Sequence, residues 1–277
     1  MLDAELDSPA AAQDPSRRSF ITGAVGSGFA AAVLPVTAQS VVHTPFDGLV
    51  AGEVTIASGG FAMPAYRAMP AGKQRLPVVL VVSEIFGVHE HIANVARRFA
   101  QRGYLAIAPE LFVRQGDAQS YGEIARLVEE VISKVPDAQV MADLDACAAW
   151  AGANGGDVTR LGITGFCWGG RITWLYDAHN PAVKAGVAWY GRLVGATSAL
   201  QPRHPVDVAA QLNGPVLGLY GGADTGIPLD TVDKMKAALR SGSAAARRSE
   251  FVVYPDAPHA FHADYRPSYR EDAARDG

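Results

Sequence analysis

Cysteine is nearly absent from this chain: 277 residues contain only 2, Cys147 and Cys167. That count excludes a disulfide framework and a cysteine-rich metal site, and leaves each thiol as either core filler or a reactive group. An excess of basic charge is missing too. The 24 Lys+Arg stand against 28 Asp+Glu, net −4, so nothing electrostatic favours a nucleic acid or an anionic membrane as partner. Internal repeats, low-complexity linkers and charge blocks are also lacking. What is present is a balance of 49% hydrophobic and 19% charged residues, which excludes disorder, collagen and coiled coil and fits a folded domain with a substantial core. The expected partner is a small molecule.

The N-terminus reads as an address. Residues 1–15 are acidic and Ala-rich, and Ser16-Arg17-Arg18-Ser19-Phe20-Ile21 runs into a weakly apolar Gly/Ala stretch over 23–36. That stretch is too short to span a bilayer but suits a signal h-region, and Val36-Thr37-Ala38 supplies the small residues a signal peptidase reads. Arg17-Arg18 before Phe20 resembles a twin-arginine export signal. The expectation is a signal peptide over 1–38, cleavage after Ala38, passage through the twin-arginine export machinery, a periplasmic or secreted mature protein and no stable membrane insertion after processing. Losing 1–38 removes Arg17, Arg18 and four acidic residues, leaving net −2.

From about residue 48 to 277 the pattern is that of one α/β domain. Residues 52–56 and 62–67 suggest an antiparallel hairpin hinged at Ser58-Gly59-Gly60. Buried strands are expected at 78–83, 105–108, 160–164, 185–189, 216–220 and 251–254, each Val/Leu/Ile-rich without strict alternation, as strands covered on both faces should be. Helices are expected at 92–102, 121–134, 138–153, 171–177 and 229–240. The implied architecture is a mostly parallel central sheet flanked by helices. In such sheets ligands sit at the carboxyl ends of strands.

Four strand ends carry reactive side chains. Gly165-Phe166-Cys167-Trp168-Gly169-Gly170 follows the strand at 160–164 and opens a helix, which is a nucleophile elbow with Cys in place of Ser. Gly165 and Gly169 remove the side chains that would collide in so tight a turn. A helix N-terminus favours a thiolate, and the Trp168 amide is placed to donate to an oxyanion. After the strand at 216–220, Gly221-Gly222-Ala223-Asp224 puts a carboxylate in a loop, where it could orient a histidine or merely cap a turn. Pro255-Asp256-Ala257-Pro258-His259-Ala260-Phe261-His262 brings two histidines to the same edge. His259 is the better base, and His262 is expected to be solvated. The order Cys167, Asp224, His259, each after its own strand, is the order of α/β-hydrolases. At the end of the first parallel strand, Glu84 would point toward the nucleophile, and the Ile85 amide occupies the place of the second oxyanion donor.

Ser83-Glu84-Ile85-Phe86-Gly87-Val88-His89, Gly165–Gly170, Gly221–Pro228 and Ala257–Phe261, in this order, resemble the dienelactone hydrolase (carboxymethylenebutenolidase) family over the chain from about residue 50 onward. The resemblance implies an α/β-hydrolase fold and a Cys167–His259–Asp224 triad, with Glu84 paired to the resting thiol. It implies cleavage of small esters or lactones without metal or organic cofactor. Arg114 matches a family arginine that meets a substrate carboxylate, whereas a second such arginine falls on Ala263, with Arg266 out of register. Broader activity on neutral esters or lactones is therefore expected. A long C-terminal helix of the family is expected to be missing.

The remaining polar residues invite structural readings. Cys147 reads as core filler, Glu129-Glu130 and Asp143/Asp145 as solvated helix faces, and His89/His91 as the start of a helix. His89, Glu90 and His91 lack a recognisable zinc-ligand spacing. Two other functions fit the same pattern: a thioesterase or acyl-transfer enzyme on this fold, and a ligand-binding relative without turnover.

Overall fold

The computed structural model describes residues 42–277; the signal-peptide and twin-arginine reading lies outside them. β1 (Leu49–Ser58) and β2 (Phe61–Pro70) form the expected hairpin in longer form, closed by Gly59 and Gly60 at φ 56° and 79°. A type I′ hairpin turn needs positive φ at both central positions, and glycine takes it at no steric cost. β3 (Leu76–Val82), α1 (Glu90–Gln101), β4 (Leu105–Pro109), α2 (Ile124–Glu130), α3 (Asp137–Ala153) and β5 (Gly156–Phe166) follow. α4 (Trp168–His179), β6 (Val183–Trp189), α5 (Pro205–Val208), β7 (Val216–Gly221), α6 (Leu229–Arg240), β8 (Glu250–Tyr254) and α7 (Glu271–Asp276) complete the chain.

The eight strands form one sheet in the order β1-β2-β4-β3-β5-β6-β7-β8. β1, β2 and β4 pair antiparallel, and every pair from β4/β3 to β7/β8 is parallel. This is the α/β-hydrolase architecture expected from the strand and helix pattern. Its two-sided core explains the unbroken apolar strands: along β3, Val78, Leu80 and Val82 pack into one layer with α3 and α4 residues such as Leu144 and Ile172. Val79 and Val81 pack into the other, with Ile92 and Ala96 of α1. A period of two thus loads both faces. Leu80 is wholly buried, so Leu80→Ala would cost about 2–5 kcal/mol.

The helix expected over 121–134 is broken. Val131 leaves helical geometry at φ −123°, and a short 3₁₀ turn over Ile132–Lys134 follows. Val131 and Ile132 are both buried, so two β-branched side chains reach the core at the expense of the helical bonds. Among the described residues no helix is long and apolar enough to cross a membrane.

Candidate active site

β5 and α4 meet at Cys167, which has φ 54° and ψ −112°, a conformation that a non-glycine residue keeps only where its surroundings over-determine it. Those surroundings are visible. Cys167 N donates to Trp189 O at 3.0 Å, and Arg171 N donates to Cys167 O at 3.2 Å to start the helix. A Cβ on Gly165 would lie 2.2 Å from Gly169 O, and one on Gly169 would lie 2.4 Å from Val82 O. No side chain fits either position, so the elbow requires both glycines. Below it, Arg171 clamps Asp137 of α3 with two bonds of 2.7 Å. This buried, bidentate pair fixes α4 against α3 and had no sequence signal beyond its residue types.

The loops after β7 and β8 are stitched together by backbone bonds, Gly222 N to Tyr254 O and Ala223 N to Ala257 O. They bring Asp224 and His259 to the elbow. His259 Nδ1 lies 2.7 Å from Asp224 Oδ2, and Nε2 lies 3.2 Å from Cys167 Sγ. Asp224 Oδ1 accepts from Gly226 N at 2.9 Å, so the carboxylate is held at both oxygens. With Nδ1–H donated to the carboxylate, Nε2 is left for the sulfur. Burial by itself would lower the His259 pKa; hydrogen bonds to Asp224 and Cys167, and their charges, overcome it and raise it to about 10. The amides of Ile85 and Trp168 are not bonded to any acceptor among the described residues, as oxyanion donors need to be.

Tyr190, which no motif singled out, closes this group. It follows β6 at φ 38° and sets its ring edge-to-face against His259, centroids 5.2 Å apart. The one sequence hint was an aromatic pair, Trp189-Tyr190, at a strand end.

Three expectations need correction. Glu84 does not pair with the thiol: its Oε2 accepts from Tyr265 OH, His89 Nε2 stands 3.9 Å away, and Sγ belongs to His259. His262 is not solvated; it is 8% exposed and packs on Trp189 and Phe166 at 4.5 and 4.8 Å between centroids. Asp143 is not on a solvated face either. It is 1% exposed and takes both arms of Arg114, whose second arm also reaches Ser58 O at 3.2 Å. Arg114, stacked on Phe61 at 4.4 Å, thus has its charge balanced within the protein. Asp145, by contrast, keeps a side chain 45% exposed, as expected of a solvated helix face, and there meets Tyr176, His179 and Asn180.

Other readings hold in the fold. Cys147 is wholly buried in α3, and burial pushes its thiol far up, out of the reactive range. Ala263 is buried with no cation at its position, and Arg266 lies over the Phe86 ring at 5.2 Å. His89 and His91 do open α1, but both are buried.

Comparison with known proteins adds the relatives. A model of the dienelactone hydrolase family matches residues 63–277. A protein of Methylorubrum extorquens, provisionally named a carboxymethylenebutenolidase, is 62% identical over 276 residues, covering 99% of this chain and 94% of its own. One from Escherichia coli K12, named in the same way, is 58% identical over 252 residues, covering 91% and 92%. The crystal structure of a Klebsiella pneumoniae protein, provisionally named a dienelactone hydrolase, is 61% identical, with TM-score 0.80 over 83% of this chain and 95% of that one. A dienelactone hydrolase-like phosphotriesterase from metagenomic libraries shares the fold at TM-score 0.68 and 21% identity.

Proposed function

Because this chain belongs to the dienelactone hydrolase family, we propose that it cleaves small neutral esters or lactones with Cys167 as nucleophile, His259 as base and Asp224 as its orienter. The chain is a carboxylic ester hydrolase, and the proposal concerns the machinery and the substrate. The observation that carries it is the continuous line Asp224 Oδ2, His259, Cys167 Sγ, with contacts of 2.7 and 3.2 Å at a strained elbow.

In this reading His259 Nε2 holds the proton of Cys167, and Sγ attacks the carbonyl carbon. The carbonyl electron pair moves to oxygen, which the Trp168 and Ile85 amides receive. Collapse expels the alkoxide, which takes the proton from Nε2 and leaves a thioester on Cys167. His259 then removes a proton from water, hydroxide adds to the thioester, and the thiolate leaves as the acid forms. Asp224 keeps the imidazole in the tautomer both half-reactions need.

Substrate neutrality rests on two observations. Arg114 is already balanced by Asp143, and Ala263 offers no cation. A carboxylate bound without a paired cation would be heavily disfavoured. A panel of short-chain esters, simple lactones and dienelactone, assayed with wild type and Cys167→Ala, tests both parts. Neutral substrates should dominate and Cys167→Ala should be inactive. Full activity in Cys167→Ala would end the nucleophile assignment, and strong preference for dienelactone, lost in Arg114→Ala, would end the neutral-substrate reading.

The export reading is likewise proposed: Arg17-Arg18 before the apolar stretch directs folded protein to the periplasm. Equal periplasmic accumulation of wild type and an Arg17→Lys/Arg18→Lys variant would refute it.

A further inference from the structure

Cys167, Asp224 and His259 stand on three separate loops, and Asp224 touches His259 at one nitrogen only. A hydrogen bond of that kind fixes the tautomer of the ring. It leaves the imidazole free to tilt about the line from Oδ2 to Nδ1, and a tilt swings Nε2 away from Sγ. Another contact has to set the plane of the ring, and the end of β6 is placed to supply it. Trp189 O accepts from Cys167 N at 3.0 Å, and Tyr190 N donates at 2.8 Å to Leu219 O of β7, the strand that leads to Asp224. The Tyr190 ring then meets His259, centroids 5.2 Å apart with the planes at 64°. Two consecutive residues thus touch the nucleophile's backbone, the acid's strand and the base itself.

We propose that Tyr190 is a positioning residue whose ring holds the His259 imidazole in the plane where Nε2 meets Cys167 Sγ. The inference rests on His259 as the base of Cys167 and adds what aims it. A φ of 38° is one that tyrosine, unlike glycine, keeps only under constraint. The constraint is on both sides. Gly191 follows hard against the first turn of α4, where a Cβ would lie 2.3 Å from Gly170 C, and Gly191 O accepts from Tyr220 OH at 3.0 Å. The Tyr190 ring is wholly buried and has its own buttress: Phe261 stands edge-to-face to it at 5.1 Å, and Tyr254 edge-to-face to Phe261 at 5.2 Å. Edge-to-face contacts are a preferred aromatic geometry, so the ring that His259 meets is a fixed wall. The hydroxyl is not the working part, since only the His262 amide is near it, outside hydrogen-bonding geometry.

Burst kinetics and proton magnetic resonance test this together. A p-nitrophenyl butyrate burst separates acylation from deacylation, and the low-field Nδ1–H resonance of His259, identified by its absence in His259→Ala, reports the bond to Asp224. Tyr190→Leu should slow both half-reactions by roughly 10- to 100-fold, because a ring out of plane serves neither. The binding constant from the acylation phase should stay within about threefold, and the Nδ1–H resonance should persist. Tyr190→Phe keeps the wall and should bring both rates back to within about threefold of wild type. Unchanged rates in Tyr190→Leu, or an equal loss in Tyr190→Phe, would overturn the proposal. So would loss of the Nδ1–H resonance in Tyr190→Leu, which would make the residue a support of the whole triad rather than of the ring's plane. If Tyr190→Leu were unfolded by circular dichroism, Tyr190→Met, which fills the space with a flexible chain, carries the same expectation and the same refutation. Failure of the underlying assignment is separable, because Cys167→Ala would then still turn over substrate whatever the Tyr190 variants do.

Discussion

His259 and His91 each place Nδ1 against a buried aspartate, at 2.7 Å to Asp224 and 2.9 Å to Asp264. Only one of these pairs can do chemistry. The His259 side chain is 37% exposed and gives its free Nε2 to Cys167 Sγ, whereas that of His91 is 3% exposed and gives Nε2 to His262 Nδ1 at 3.4 Å. His91 thus has both ring nitrogens occupied, Nδ1 by Asp264 and Nε2 by His262. The second pair is a closed chain of donors and acceptors that ends on Val42 N and Arg98. A histidine held by an aspartate is thus a way to fix a tautomer. Whether the fixed ring becomes a base depends on what its other nitrogen meets and whether water and substrate can reach it.

The sharpest way to break this comparison is to delete both rings. His259→Ala should lower kcat/KM by about 10²–10⁴ with the melting temperature little changed. His91→Ala should do the reverse. It leaves Asp264 with Val42 N and Arg98 but without a donor for Oδ1, a loss of about 1–3 kcal/mol in stability, while the folded fraction keeps kcat within about tenfold. Steady-state kinetics and thermal melts on both variants check this, and comparable loss of kcat in a folded His91→Ala enzyme would mean the second pair is catalytic after all.

Neutralising the aspartates is a gentler version. Asp224→Asn keeps the shape but offers an amide where Nδ1–H needs an acceptor, and kcat should fall by about 10²–10⁴. Asp264→Asn can still accept from His91 through one oxygen. Its amide would then face the donors of Val42 and Arg98, so the expected effect is about 1–3 kcal/mol of stability and little change in rate. Chemical denaturation separates the two outcomes.

The two pairs also differ in how far the sequence disclosed them. Cys167, Asp224 and His259 each follow a strand within a glycine- or proline-marked turn, and the elbow glycines are demanded by backbone contacts that depend only on local geometry. Local patterns of that kind are readable, as was the order of strands and helices. His91, His262, Asp264, Tyr265 and Glu84 come together from three separate segments, and nothing in their spacing says they meet. Exposure was the characteristic error: His262 and Asp143 read as solvated because polar residues in loops and on helix faces mostly are. Their partners, His91 and Arg114, lie 171 and 29 residues away. The break of the helix at Val131 was hidden for a related reason, since the core position that Val131 fills is a tertiary fact overriding a local preference.

The smallest effect expected is also the one that distinguishes the pairs by sign. Burial, reinforced by the charges of His91 and Arg98, pushes His262 well below its ordinary 6.5, so it is neutral in the folded protein. The unfolded chain takes up a proton there as pH falls through 6.5, and the folded one refuses it. Stability must then fall on acidification, by up to about 1.4 kcal/mol per pH unit for this one histidine. His259 runs the other way. Its folded pKa is raised from 6.5 to about 10, so its contribution is complete below 6.5 and is lost as pH rises through about 10. Asp177 overlaps the acid window with the opposite sign: burial raises it from 3.8 to about 7 against the amides of Gly214 and Asn213, so its contribution is complete below 3.8 and lost toward 7. The wild-type profile therefore mixes terms, and the informative quantity is a difference between variants, in which Asp177 cancels. Melting temperatures between about pH 7 and about pH 5 should fall less in His262→Gln than in wild type, whereas His259→Gln should steepen that fall slightly, because the unfolded ring titrates across 6.5, and act mainly by flattening the alkaline limb. An unchanged acid slope in His262→Gln would mean that this ring already carries a proton in the folded state, and the closed donor chain through His91 would have to be redrawn.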